Sequence, residues 1–287
     1  AIVERFVLNH PGLKVPGNLR ERLGSKEGWQ ISYVDLEVKS GIARIIFNRP
    51  EAMNAINEEV IRQLDARFAE AERVASVRAI VLEGAGKAFV AGADIGYFVE
   101  KIETARLDDI VAFTSYGHSV LRRIDLSAKL VIAKLDGLAL GGGAEIALAA
   151  DTIVASERGT LGFPETGIGI YPGLGGTQRT PRHIGKELAK YLIFTGKVVD
   201  ANTAAAIGLV EYTASSDEID SKIAELVKGG NVLTKASRGE TPPTEELAKL
   251  KRYFSDQGLQ SLLAGGGDQD EMGKGLAKTI SRKAPLA

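Results

Sequence analysis

The segment at residues 136–151, DGLALGGGAEIALAAD, constrains the fold more than any other stretch of the chain. Its second half, IALAA, has no polar side, so a helix formed here is expected to be buried on every face. Glu145 nevertheless stands at the start of this helix, where burial of an unpaired carboxylate costs on the order of several kcal/mol. The three glycines before it lower helix propensity by up to about 1 kcal/mol each. We therefore expect this segment to have a role that compensates for both features.

Strand and helix patterns alternate on both sides of this segment. Apolar runs at 31–38 and 42–47, separated by Ser40-Gly41, predict a β-hairpin. Apolar residues at helical spacing predict a helix from Asn57, which can cap it, to about residue 75. Further strands are predicted at 79–82, 130–135, 152–155 and 160–162, and further helices at 107–124 and 173–182. This alternation predicts an α/β core.

The chain divides into three regions by pattern. Residues 1–30 contain Pro/Gly breaks and no sustained apolar period, which is typical of a linker or an N-terminal extension. Residues 31–215 contain the repeated strand, strand and helix pattern and form the predicted core with the active site. Residues 216–287 change to helices with charged faces, predicted at 245–254 and 270–281, and form a C-terminal helical region.

The composition limits the classes of function. The 287 residues, 44% of them hydrophobic, suffice for one large globular domain or two small ones. With 36 basic and 37 acidic residues, the net charge of −1 provides no overall field for nucleic acid or an anionic membrane. The sequence has no cysteine, no apolar run of ~18 residues and no signal-peptide pattern, which favours a soluble cytoplasmic protein. The three histidines lack metal-ligand spacing, so no metal site is expected.

Three glycine-rich stretches adjoin apolar strands: KAFVAGADI, ALGGGAE and FPETGIGIYPGLGGTQR. Glycine lets backbone N–H groups approach a ligand closely, although any one stretch alone is better explained as a tight turn. Together they suggest one pocket, in which the N–H groups of Ala93 and Gly142 converge on an oxygen atom as an oxyanion hole. Glu165 follows Pro164 among small and apolar neighbours. When two carboxylates lie in such apolar surroundings, the pKa of at least one of them is expected to be raised.

The motifs AFVAGADI, DGLALGGGAEIALAADTIVAS, FPETGIGIYPGLGGTQR and FTGKVVDANTAAAIGLV resemble, in order, segments of the crotonase superfamily, which includes enoyl-CoA hydratases and isomerases. The resemblance extends from about residue 31 to the C-terminus. It implies an α/β fold built as a right-handed spiral of ββα repeats with a C-terminal helical region. It also implies a homotrimer or a hexamer made of two trimers, and an acyl-CoA thioester as substrate.

The resemblance also implies roles for individual residues. The N–H groups of Ala93 and Gly142 would hold the thioester carbonyl, and Glu145 and Glu165 match the two glutamates of the hydratases. Isomerases commonly keep an acidic residue at only one of these positions, so the resemblance favours addition of water across the C2–C3 double bond of a trans-2-enoyl-CoA. No cofactor is implied, because CoA is part of the substrate. The implied substrate-binding residues are Ala91, Asp94, Ile95, Gly141, Gly173 near the water, and Lys283 near the CoA phosphates.

Several alternatives stay open at this point. The chain could be a Δ3,Δ2-enoyl-CoA isomerase, a non-catalytic scaffold or an RNA-binding relative. Gly96 and the segment at 260–268 depart from the family pattern, so acyl-chain length is not predicted. Residues 1–30 could be the junction with a fused 3-hydroxyacyl-CoA dehydrogenase domain, a tag remnant or a native extension, and their deletion is expected to preserve activity. The leucines expected to lie exposed on a lone subunit and to be buried on assembly are Leu259, Leu262, Leu263 and Leu276.

Overall fold

The computed structural model describes residues 32–230, 232–234, 244–264 and 270–283. The expectations for the extension at 1–30 and for the glycines at 265–267 therefore lie outside the described residues. The strands are β1 (Val34–Lys39), β2 (Ile42–Phe47), β3 (Ala79–Gly84), β4 (Ala88–Ala91), β5 (Leu130–Leu135), β6 (Leu138–Leu140), β7 (Thr152–Ala155), β8 (Thr160–Gly162), β9 (Val198–Asp200) and β10 (Tyr212–Thr213).

The described helices follow the same order along the chain. They are α1 (Glu58–Arg73), α2 (Ile95–Glu103), α3 (Leu107–Asp125), α4 (Gly142–Ala147), α5 (Gly176–Ile184), α6 (Lys186–Thr195), α7 (Ala201–Ile207), α8 (Ile219–Gly229), α9 (Glu245–Phe254), α10 (Asp256–Leu263) and α11 (Glu271–Lys283). Two short 3-10 helices complete them, at Pro50–Ala52 and at Pro164–Ile168. We call the second of these the Glu165 turn. None of the described helices is long and apolar enough to cross a membrane.

The strands form two sheets, and the repeats along the chain contribute strands to both. The six-stranded sheet has the order β1-β2-β3-β5-β7-β10, and the four-stranded sheet has the order β4-β6-β8-β9. Each of the pairs β3/β4, β5/β6 and β7/β8 places one strand in each sheet before the chain enters a helix. Apart from β1/β2 and β8/β9, the pairings are parallel. This is the ββα arrangement that the resemblance implied.

Local sequence signals explain the first elements. The hairpin between β1 and β2 turns at Ser40 and Gly41, both with positive φ, which is the type I′ geometry that matches strand twist. Asn57 caps α1 by accepting a hydrogen bond from the N–H of Val60. Helix α1 ends at Arg73, two residues before the predicted end, because Val74 adopts an extended conformation.

Helix α4 is buried on all sides, as its composition predicted. All six of its residues are buried, and the apolar residues that follow it, Leu148, Ala149 and Ala150, are buried too. A Cβ atom on Gly143 would overlap the carbonyl oxygen of Val90, so only glycine allows α4 to lie this close to β4. Gly143 therefore lies inside a helix because the packing requires a missing side chain.

The C-terminal region packs on its own chain. Helix α8 covers the six-stranded sheet, whereas α9 and α11 contact α6, and α11 also contacts the Glu165 turn. The expectation of an exposed leucine patch is wrong for most of its members. Leu262 is 1% exposed, and Leu259 and Leu276 are partly buried against the cluster around Phe254. Only Leu263 is exposed, because the helical layer closes on α6 of the same subunit.

Candidate active site

Glu145 lies in the first turn of α4 and is 1% exposed. Its Oε1 accepts hydrogen bonds from the N–H groups of Leu174, at 2.7 Å, and Gly176, at 2.6 Å. Gly176 begins α5, so this oxygen also lies at the positive end of a helix dipole. The other oxygen, Oε2, accepts no hydrogen bond from the described residues. One oxygen is therefore anchored and the other is available.

The environment of Glu145 balances opposing effects on its proton affinity. Burial raises the pKa of this carboxyl from 4.5 to about 7. The hydrogen bonds from Gly176 and Leu174 and the positive charge of Arg179 act against this rise. Because the pKa lies near neutrality, Glu145 can accept and release a proton at physiological pH.

Glu165 is half-buried in the Glu165 turn, immediately after Pro164. Its Oε2 is buried and has no hydrogen-bond partner among the described residues. Burial, together with the smaller effect of the negative charge of Glu145, raises the pKa of this carboxyl to about 7, against the effect of its own backbone N–H. The repulsion requires the two carboxylates to lie within electrostatic reach of each other.

Two consecutive glycines bring the carboxylates together. Gly141 has φ 50° and ψ −121°, a backbone conformation that side chains disfavour, and its Cβ position would lie 2.8 Å from Oε1 of Glu165. The Cβ position of the next residue, Gly142, lies 4.0 Å from Oε2 of Glu145. Glycine at 141 is thus required by both conformation and space. The structure places both predicted glutamates beside the same turn.

Ala93 and Gly142 lie where the paired strands β4 and β6 end. Ile56 donates its N–H to the carbonyl of Gly92 and accepts the N–H of Asp94, so the N–H of Ala93 between them points to the opposite side. On that side β4 pairs with β6 up to Leu140, and the N–H of Gly141 donates to the carbonyl of Gly162 at the end of β8. Neither N–H donates to a described residue. Both groups are therefore available to an oxygen atom near Gly141.

The structure gives Asp94 an internal role. Its carboxylate accepts a hydrogen bond from Nη1 of Arg49 at 2.7 Å and caps α2 through the N–H of Tyr97. These two contacts occupy the side chain that the resemblance assigned to substrate binding. The Asp94 side chain thus joins Arg49 to the start of α2, and its role in substrate binding stays a prediction.

The remaining predicted residues lie at different distances from the turn. Ala91 ends β4 and is half-buried, and Ile95 begins α2 and is 54% exposed. Gly173 is exposed and directly precedes Leu174, which contacts Glu145. Lys283 ends α11, the helix that packs on the Glu165 turn. No hydrogen bond or ion pair joins Lys283 to another described residue.

Sequence reasoning missed the groups that hold Glu145. The donors are backbone N–H groups of Leu174 and Gly176, and the guanidinium of Arg179 lies next to them. Arg179 belongs to the quoted motif GLGGTQR, and an arginine four residues after a glycine helix cap was a usable signal. Its partner, Asp125, lies 54 residues away in sequence and carried no signal.

Comparison with known proteins agrees with the fold and identifies the family. Residues 37–237 match the family model "Enoyl-CoA hydratase/isomerase", and the chain belongs to this family. It is 41% identical over 200 residues to the short-chain-enoyl-CoA hydratase of Clostridium acetobutylicum, covering 69% of this chain and 74% of that protein. It is 34% identical over 227 residues to the crotonyl-CoA hydratase of Syntrophomonas wolfei, covering 79% and 82%.

The solved structures resemble the chain in the same way. The enoyl-CoA hydratase from Bacillus anthracis superposes with a TM-score of 0.65 and 27% identity, over 89% of this chain and 92% of that one. The crotonase-superfamily resemblance inferred from the four motifs is thereby confirmed.

Proposed function

We infer that this protein is an enoyl-CoA hydratase, which adds water to a trans-2-enoyl-CoA and forms a 3-hydroxyacyl-CoA. The observation that carries this inference is the pair of glutamates beside Gly141 and Gly142, each with one oxygen free of described partners. The names of the two hydratase relatives support the same reaction. The substrate is an acyl-CoA thioester, and both names favour a short acyl chain.

The backbone N–H groups of Ala93 and Gly142 bind the thioester carbonyl in this proposal. Attack of water at C3 moves electron density onto the carbonyl oxygen, which becomes an enolate. Each N–H donor aimed at that charge stabilises the transition state by roughly 3 kcal/mol. Glycine at 141 and 142 lets backbone rather than side chains reach the thioester. The backbone of Ala91, Ile95 and Gly141 lines the CoA path.

The two glutamates divide the proton transfers. Oε2 of Glu145 takes a proton from the water molecule whose oxygen bonds to C3, and protonated Glu165 delivers its proton to C2. One water is added, and the proton then returns from Glu145 to Glu165 through solvent to complete the cycle. With both pKa values raised to about 7, the pair holds about one proton near neutral pH, the state that this reaction requires.

The test is loss of the enoyl-thioester absorbance when the protein is mixed with crotonyl-CoA and with longer homologues. Turnover of crotonyl-CoA with decreasing rates for longer chains is the expected result. Conversion of a 3-enoyl-CoA without hydration of crotonyl-CoA would contradict the proposal and favour the isomerase alternative. A protein inactive on both would favour a non-catalytic role.

The proposal extends to assembly and location. We propose a homotrimer or hexamer, and the apolar residues exposed along α2 and α3 favour these helices as contact surfaces: Ile95, Val99, Ile102, Leu107 and Val111. A monomer in light scattering at micromolar concentration would contradict it.

The absence of cysteine in the sequence supports a cytoplasmic location. Lys283 near the CoA phosphates, Gly173 near the water and a fused dehydrogenase domain stay hypotheses.

A further inference from the structure

The loop at residues 172–176 holds Glu145 at two points. The N–H of Leu174 and the N–H of Gly176 both donate to Oε1, and the carbonyl of Leu174 lies between them along the chain. The peptide unit that carries this carbonyl lies between the two donating peptide units, so fixing it restricts the orientation of both donors. A shift of the loop would move Oε2 of Glu145 as well, because the carboxylate is planar and one of its oxygens is fixed.

Arg179 fixes that carbonyl. Its Nη1 donates to the carbonyl oxygen of Leu174 at 3.0 Å, and its side chain is only 11% exposed. A Cβ atom on Gly175 would collide with the same Nη1, so the guanidinium lies directly against the loop backbone. Arg179 reaches Glu145 through the loop and makes no hydrogen bond to the carboxylate.

Asp125 orients the guanidinium from the other side. Its Oδ2 accepts hydrogen bonds from Nε at 3.0 Å and from Nη2 at 2.6 Å of Arg179. Asp125 is the last residue of α3, and α3 also touches the loop at Gly117, where a Cβ would lie 2.7 Å from Leu174 Cδ2. Helix α3 thus contacts the loop both directly and through Arg179.

We propose that Asp125 and Arg179 form a latch that positions Glu145 for catalysis, by fixing the Leu174 carbonyl between the two N–H donors that anchor Oε1. The inference rests on the proposed function and adds two positioning residues to it. Neither residue touches the reacting atoms. The latch keeps Oε2 directed at the water while Oε1 stays bound.

The charged neighbours of the site define the controls. Glu145 faces Glu165 from the Glu165 turn and Arg179 from α5. Arg179 faces Asp125, and His118 of α3 lies beside the same part of the loop. Arg182 is exposed on α5 and makes no hydrogen bond or ion pair with a described residue. It is a matched control for loss of an arginine from this helix.

The experiment measures the pH dependence of kcat/KM for crotonyl-CoA in folded variants. We expect Arg179→Met to lower kcat by about 10- to 100-fold, because a displaced base loses its productive geometry. The KM should change by no more than about twofold, since Arg179 does not touch the substrate. The acid-side limb of the pH profile of kcat/KM should move to higher pH by about half a unit or more. The reason is that a positive charge and well-placed donors near Glu145 are lost.

Four further variants complete the series. Arg179→Lys should recover part of kcat, because one ammonium can bond to the Leu174 carbonyl or to Asp125 but lacks the fork that spans both. Asp125→Asn should lower kcat by a smaller factor than Arg179→Met and leave KM within about twofold of wild type, because the guanidinium keeps its charge but loses the carboxylate that orients it. Arg182→Met and His118→Asn should both give the wild-type limb. Circular dichroism confirms folding, and Asp125→Asn carries the test if Arg179→Met does not fold.

A folded Arg179→Met protein whose acid-side limb coincides with that of Arg182→Met would overturn the latch, even if its activity fell. Titration of the Glu145 carboxyl by 13C NMR in wild type and variant gives a readout independent of turnover. An upward shift of this pKa in the variant supports the latch, and an unchanged pKa overturns it. A wild-type protein that titrates in this way yet does not hydrate crotonyl-CoA would overturn the proposed function alone.

Discussion

Two segments supply the carboxylates of this site, and they hold them by different means. Glu145 is fully buried in a helix and is bound at one oxygen by two N–H groups from another part of the chain. Glu165 is half-buried in a short 3-10 turn, and beyond its own backbone no described group binds it. Burial raises the pKa to about 7 in both cases. The two carboxyls thus have the same proton affinity, although Glu145 is held in place and Glu165 is less constrained.

The difference suits the two halves of the reaction. A base that directs water at C3 needs a fixed oxygen, because the water has no other guide to the carbon. An acid that delivers a proton to C2 must follow the change in geometry at that carbon. The Glu165 turn leads into an exposed apolar stretch with Ile168, Ile170 and Tyr171, so it is less enclosed than α4. We therefore expect substitutions on the Glu145 side to have the larger effects.

The largest effect is expected for Glu145→Gln. The glutamine oxygen can still accept from Leu174 and Gly176, so the fold is preserved while the base is lost. We expect kcat to fall by about 10³- to 10⁴-fold, the upper part of the range for a general base. Crotonyl-CoA hydration measures the loss. Glu187→Gln, which changes a glutamate in the first turn of α6, should remain within about twofold of wild type. Comparable losses in both variants would contradict the fixed-base assignment.

Glu165→Gln is expected to lower kcat by about 10²- to 10³-fold, because the amide cannot protonate C2. The loss should be smaller than that of Glu145→Gln, since water near the less enclosed turn can replace part of the acid. Incorporation of solvent deuterium at C2, followed by NMR, should slow in parallel with hydration. Retention of the full hydration rate would end the role of Glu165 as proton donor.

Gly142→Pro tests the backbone at the start of α4 separately from the carboxylate of Glu145. Proline is tolerated in the first turn of a helix, so α4 should persist, although Ile56 must shift because a Cβ at 142 would lie 2.9 Å from its Cδ1. Loss of one oxyanion donor should lower kcat by about 10²-fold. The melting temperature should fall much less. Parallel loss of turnover and of thermal stability would mean that this glycine serves mainly the structure.

The smallest expected effect concerns stability and pH. Because the folded-state pKa of Glu145 is raised from 4.5 to about 7, its contribution is most favourable below pH 4.5 and is lost as pH rises to about 7. A shift of this size corresponds to up to about 3 kcal/mol. Glu145→Gln should therefore melt about 5 °C above wild type at pH 8 and close to wild type at pH 5. A lower melting temperature at pH 8 would show that the two hydrogen bonds outweigh the cost of burying the charge.

Local signals in the sequence were sufficient for much of the fold. The cap at Asn57 and the apolar period predicted α1, and the absence of any polar side predicted the burial of α4. Strands β4 and β6 escaped prediction because four and three residues carry too little periodicity. The C-terminal leucines showed an apolar face but could not show what covers it, which is α6 of the same chain.

The site was predictable where chemistry is carried by the motif itself. Glu145, the three glycines before it and Glu165 stand out as an unusual combination. The contact between Arg179 and Asp125 did not, because 54 residues separate them and an ion pair between common residues leaves no pattern. The contact between Asp94 and Arg49 likewise left no pattern, because 45 residues separate them. Long-range polar contacts are thus the part that the sequence conceals.

The three consecutive glycines before Glu145 have a consequence at the level of the gene. Position 141 needs a positive φ and space beside Glu165, position 142 lies against Ile56, and position 143 touches the Val90 carbonyl. All glycine codons begin with two guanines, and every amino-acid change produced by one altered base introduces a residue with a Cβ atom. No single-base missense change at these three codons can therefore be silent in structure. Every amino-acid change at these codons therefore adds a side chain that presses on Glu165, Ile56 or the backbone of Val90, so variation of the substrate pocket is expected first at other positions.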